Sequence, residues 1–176
     1  MNSQFAIFAG LIVVTTLAVG CVTPIQSQAI VPATRPATRS FPGSVAVTVT
    51  GNINTPNTKL LEAATFRTAL LEGIRRSQLF RSGLVDSGGD YQLDVNVLSI
   101  EWPGPGLAMK TTFTSRWKLM RKDSGDVVCD EIIRTVHIAP LSEAFDGVAR
   151  AKRSVEGAAS GVIADGLKAL DKHVAQ

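Results

Sequence analysis

Three kinds of hydrophobic spacing divide the chain. From Phe5 to Val19 apolar residues run almost without a break (Phe5, Ile7, Phe8, Leu11, Ile12, Val13, Val14, Leu17), and no Lys, Arg, Asp or Glu occurs before Cys21. Strict alternation appears later. Val45, Val47 and Val49 alternate with Ala46, Thr48 and Thr50, and Tyr91, Leu93, Val95 and Val97 alternate with Gln92, Asp94 and Asn96. A period of two predicts strands with one face buried. Phe113, Ser115, Trp117 and Leu119 face one way along a third strand, and Val127 to Ile138 returns as a fourth after the turn Asp123-Ser124-Gly125-Asp126. The alternation slips at Leu98 to Ile100, which predicts a bulge or a doubly covered strand end.

Helical spacing marks two further segments. Between Lys59 and Leu79, Ala63, Phe66, Leu70, Gly73 and Ile74 share one face, widened by Leu60, Leu71 and Leu79, while Arg67, Glu72, Arg75 and Arg76 lie off it. Asn57 or Thr58 is placed to cap this helix. Near the C-terminus, Phe145, Val148, Lys152, Val155, Ala159, Val162, Gly166 and Ala169 keep three-four spacing, and the dependable helix spans roughly Arg150 to His173. The order β-α-β-β-β-α predicts an α+β two-layer sandwich: a mostly antiparallel sheet with two helices on one face. The first two strands, joined through a helix, are free to lie parallel. Residues 44–176 form this single domain.

The apolar run before Cys21 has the length and character of an export-signal core, with the small residues Ala18 and Gly20 at a cleavage site. The stretch Leu17-Ala18-Val19-Gly20-Cys21 resembles the bacterial lipoprotein signal, whose box ends in a small residue and a Cys. That resemblance implies cleavage after residue 20, a diacylglycerol on the Cys21 thiol and acylation of the new amine. Val22 follows, not the Asp that retains enterobacterial lipoproteins at the inner membrane, so the resemblance leans towards the periplasmic face of an outer membrane. Two other readings stay open: an uncleaved membrane helix and a plain cleaved signal. All three export the domain. Residues 21–43 are rich in Pro, Thr, Ser and Ala, with Pro24, Pro32, Pro36 and Pro42 spread through them. Such a composition predicts a disordered tether reaching on the order of 65 Å when extended.

Composition narrows the function classes. The chain has 176 residues and a net charge of +3, far from a nucleic-acid footprint. With Cys21 committed to lipid, Cys129 has no partner for an internal disulfide; it lies in a strand-like run and reads as a buried thiol. His137 and His173 are distant from each other in sequence and have no Cys, Asp or Glu at metal-ligand spacing, so no metal and no cofactor are expected. Nucleophile elbow, phosphate-binding glycine loop and zinc motif are all missing from the sequence. Asp90 and Asp94 share a strand face and read as solvated, with Asp94 and Asn96 placed to neighbour Arg116 and Lys118 across the sheet.

Two features are candidates for partner contact. One is a basic sheet face made by Lys110, Arg116, Lys118 and Lys122, suited to anionic glycolipid or membrane. The other is the loop from Trp102 to Met109, where Trp102, Leu107 and Met109 surround two Pro-Gly pairs. The segments Phe66 to Leu71, Ser77 to Phe80, Asp90 to Val95 and Arg150 to Leu170 resemble the small YajG-like envelope lipoproteins of Gram-negative bacteria and, more distantly, the lipopolysaccharide-assembly lipoprotein. The resemblance carries no catalytic residues. It implies a non-enzymatic, lipid-anchored envelope protein that binds a partner protein or envelope glycolipid; the alternative is an accessory lipoprotein of a lipid or lipopolysaccharide transport system. A hydrolase acting on lipid or peptidoglycan is a third, least supported class.

Overall fold

In the computed structural model the described residues are 23–53, 60–102, 104 and 106–174. The element order is α1 (Ser27–Ile30), β1 (Val45–Gly51), α2 (Ala63–Ser77), β2 (Leu84–Val85), β3 (Tyr91–Glu101), β4 (Met109–Arg121), β5 (Val127–Ala139) and α3 (Gly147–His173). The sheet runs β2-β1-β3-β4-β5. β1 is parallel to both β2 and β3, as the helical crossover through α2 allows, whereas β3–β4 and β4–β5 are antiparallel. The two-layer α+β architecture is the one the spacing predicts. The register shift falls between Val97 and Ser99, leaving Leu98 exposed at the bulge.

The core lies between the sheet and the two long helices. Odd-numbered residues of β3 and β4 point into it: Leu93, Val95, Phe113, Trp117 and Leu119 are fully buried. Phe113 stacks on Phe66 of α2 with ring centroids 5.2 Å apart, and the Trp117 indole N–H donates to Ser115 Oγ at 2.9 Å, so its burial leaves no orphan donor. α3 approaches the sheet so closely that a Cβ on Gly166 would lie 2.2 Å from Trp117 Cζ2, and one on Gly161 would lie 2.5 Å from Thr135 Cγ2. Glycine at these turns of the helix sets the interlayer distance.

Several boundaries differ from the sequence reading. α2 starts at Ala63, with Glu62 at the cap position and no side-chain cap; Asn57 and Thr58 lie outside the described residues. Gln78 ends it by adopting a left-handed conformation (φ +53°). α3 starts three residues early because the Asp146 carboxylate accepts the Ala149 N–H at 2.7 Å. β2 is a two-residue strand inside the turn-rich Ser82–Asp90 connection, too short to carry a pattern.

The larger correction concerns the tether. Residues 23–43 are docked on the domain. Ile25, Ile30 and Phe41 are buried, and α1 packs against both α2 and α3. Backbone bonds pin the segment along its length: Ile25 N–H to Leu60 O (2.9 Å), Ala37 N–H to Ser77 O (2.7 Å) and Phe41 N–H to Leu79 O (2.7 Å). Phe41 stacks on Phe80 at 5.1 Å and tilts against Tyr91 at 5.4 Å. Mean composition missed this because three large apolar side chains, each stabilising by roughly 1.5–3 kcal/mol when buried, are diluted among small polar residues. The prolines narrow the unfolded ensemble and lower the entropic cost of docking. Residues 21 and 22, the rest of the expected tether, lie outside the described residues.

Candidate functional site

The helices cover one face of the sheet and leave the other open. On β4 this side of the sheet carries Lys110, the buried Thr112, Thr114, Arg116, Lys118 and Met120, matched on β5 by Ile138, Val136, Arg134, Ile132, Asp130 and the hairpin end. Three of the expected basic residues are therefore in one row, but it is not a free positive stripe. Arg116 makes a two-bonded pair with Asp130, Nε to Oδ1 at 2.6 Å and Nη2 to Oδ2 at 2.7 Å. The guanidinium holds the Asp130 carboxyl below its usual range, and Asp130 raises Arg116 in turn. Lys118 stands between Asp94 on β3 and Asp130 on β5 in the strand register. Thr50, Asp94, Asn96, Arg116 and Lys118 line an open depression on this face. Beside it, Ile132, Val136 and Ile138 form an exposed apolar row that the charge-centred reading overlooked, although their even-numbered spacing was visible.

Lys122 does not belong to that row. It sits in the β4–β5 turn, where its N–H donates to Asp90 O at 2.9 Å, beside a groove lined by Pro42, Gly89, Asp90, Tyr91, Arg121 and Asp123. Asp90 is spoken for locally: Ser44 N–H and Oγ donate to its Oδ2 at 2.7 and 2.9 Å, lowering its pKa. Asp90 and Asp94 therefore do not pair as a carboxylate dyad.

The Trp102–Met109 loop divides. Trp102 is half-buried against the core, and Met109, the first residue of β4, is buried (8% exposed), so neither offers a free contact surface. Leu107 projects, 77% exposed. It is joined by Phe145 (86%) from the β5–α3 connection and Val148 (53%) from the first turn of α3. Arg150 holds the two loops together: Nη2 donates to Gly106 O at 2.9 Å and Nη1 to Ala144 O at 2.8 Å. The result is an apolar tip at the end of the sheet where β4 begins and β5 finishes.

The histidines are also placed differently from their sequence spacing. His137 packs flat against Gly157 of α3. His173, at the C-terminal end of α3, puts Nε2 3.1 Å from Glu131 Oε1, and Glu131 lies two residues along β5 from the buried, unpaired Cys129. Burial, followed by the charges of Glu131 and Asp130, pushes the Cys129 thiol up to about 11. No sequence spacing reveals this trio, because the sheet and the last helix bring it together over more than forty residues.

No protein-family model matches the sequence, and no curated protein does. Solved structures do share the fold. Protein XCC0632 from Xanthomonas campestris, of the DUF330 family, superposes with a TM-score of 0.58 at 13% identity, covering 76% of this chain and 88% of that one. The hypothetical protein CT253 from Chlamydia trachomatis gives 0.56 at 10% identity, over 76% of this chain and 98% of that one. The PelC dodecamer from Paraburkholderia phytofirmans gives 0.50 at 15% identity, over 78% and 93%. At these identities the likeness shows the fold alone.

Proposed function

We propose that this chain is a lipid-anchored, non-enzymatic envelope lipoprotein whose uncovered sheet face binds a partner protein or envelope glycolipid. The observation that carries the anchoring is where the N-terminal segment leaves the domain. Lys152 Nζ donates to Pro24 O at 3.3 Å, and Lys152 follows Val148 by four residues, on the same face of α3. Pro24 therefore lies near the end of the domain that carries the apolar tip of Leu107, Phe145 and Val148. Cys21 is three residues further on, at most about 11 Å away. Acyl chains on Cys21 and the exposed tip would thus meet one bilayer surface together. Among the described residues no helix is long and apolar enough to cross a membrane. The modified Cys of the resembled signal carries more than one chain, which holds stably where one chain holds only marginally. An outer membrane, periplasmic face, is the location this reading takes.

The test is metabolic labelling with palmitate followed by envelope fractionation. Label is expected on the wild type and absent from Cys21→Ser; continued labelling of that variant, or recovery of the unprocessed chain from the cytosol, overturns the reading. For the partner, crosslinked envelopes are expected to yield a specific protein or glycolipid with the wild type and less with Ile132→Asp. Transport components in the eluate would instead favour the accessory-lipoprotein alternative. Ester or muropeptide turnover, lost with a single substitution, would favour a hydrolase.

A further inference from the structure

We infer that Cys129, Glu131 and His173 form a binding site for a single zinc-class divalent cation. Their donor atoms, one thiol sulfur, one carboxylate oxygen and one imidazole nitrogen, all lie within 4.8 Å of one another. Tetrahedral zinc, with bonds of roughly 2.0–2.3 Å, sets its ligands roughly 3.3–3.8 Å apart. The Glu131–His173 separation of 3.1 Å is already close to that spacing, and the thiol has at most about 1.5 Å to travel. The set mixes one soft and two borderline or hard donors, the combination that suits zinc or cobalt and not calcium or magnesium.

The scaffold supports each donor. Cys129 and Glu131 are two apart on β5, so both point to the helix side of the sheet. Cys129 is 2% exposed and forms the floor; Glu131 and His173 are half-buried and form the rim, leaving a route in from solvent. His173 ends α3, where the last carbonyls carry partial negative charge and favour a cation. Asp130 adds a second carboxylate charge near the thiol, though it faces the other side of the sheet and is shared with Arg116. On binding, the metal–sulfur bond forms as the thiol proton leaves to solvent; imidazole and carboxylate donate lone pairs without change of oxidation state. Three protein ligands leave a fourth position for water. This inference stands independently of lipidation at Cys21.

The experiment titrates cobalt(II), then zinc(II), into the full-length protein in detergent after chelator treatment. One equivalent of cobalt is expected, with a near-ultraviolet sulfur-to-cobalt charge-transfer band that zinc displaces. Cys129→Ser should abolish the band. Glu131→Gln and His173→Asn, at half-buried positions that do not build the core, should each weaken binding at least tenfold. Cys21→Ser should leave both band and stoichiometry unchanged, which separates this site from any thiol chemistry at the N-terminus. A wild-type protein that shows no band and retains no zinc overturns the assignment. So does a band that survives Cys129→Ser or vanishes with Cys21→Ser.

Discussion

Gly166 shows how one missing carbon sets the spacing of two layers. Any side chain there meets the Trp117 ring, which is buried, hydrogen-bonded and unable to swing aside. Gly166→Ala is therefore expected to lower stability by about 1–3 kcal/mol, in the range of overpacked cores, even though alanine raises helix propensity. A urea midpoint that rises instead would mean that α3 can shift outward freely. Acid titration reads two other residues. Glu72 is held at about 2, below its ordinary 4.5, by hydrogen bonds from Arg75 and Arg76. Asp90 is lowered by Ser44. A carboxylate whose folded pKa is depressed contributes stability that is complete above its unfolded pKa and is lost as pH falls towards the folded one. Stability should therefore decline between pH 4.5 and about 2, and Glu72→Gln should flatten that part of the profile in thermal unfolding.

At the scale of elements, the strands were legible because period-two alternation is a property of residues next to one another. Val45 to Thr50, Tyr91 to Val97 and Phe113 to Leu119 each announce their buried face, and even the bulge at Leu98 shows as a broken alternation. The N-terminal segment was not legible, because its order comes from three separated side chains meeting parts of the chain distant in sequence: α2 and α3, and, for Phe41, Phe80 and Tyr91. Ile25→Ala or Ile30→Ala is expected to cost about 2–5 kcal/mol. Faster hydrogen exchange at the Ala37 and Phe41 amides should accompany it, since those bonds hold the same segment. Native-like protection at both amides in the Ile30 variant would show that α1 is dispensable for docking. The Cys129–Glu131–His173 trio escaped the sequence for the same reason: its members meet only through the β5–α3 packing.

At the scale of the molecule, the two ends of the sheet differ in chemistry. One carries Leu107, Phe145 and Val148, with Pro24 nearby; the other carries the charged β4–β5 turn from Lys122 to Asp126. The separation along β4 is on the order of 40 Å. An environment-sensitive fluorophore on Phe145→Cys should shift to the blue when the lipidated protein is placed in vesicles, and one on Asp123→Cys should not. Equal shifts at both positions would mean that the domain has no fixed attitude to the bilayer. The basic face proved to be partly balanced: the opposing charges could be placed across the sheet from the sequence, but the particular Arg116–Asp130 pair follows only from the register. β5, with thirteen residues, is an edge strand whose Ile132, Val136 and Ile138 stay uncovered on the open side. An exposed apolar row beside an unpaired edge is where another chain adds most readily.

The clasp between the first and last parts of the chain also governs the order of assembly. Pro24 is made 128 residues before Lys152, the side chain that reaches it. Ile25 and Ile30 therefore gain only part of their cover from α2, and the rest once α3 has come to rest on the sheet. The docked segment reaches its finished state only when the last helix of the fold closes over it.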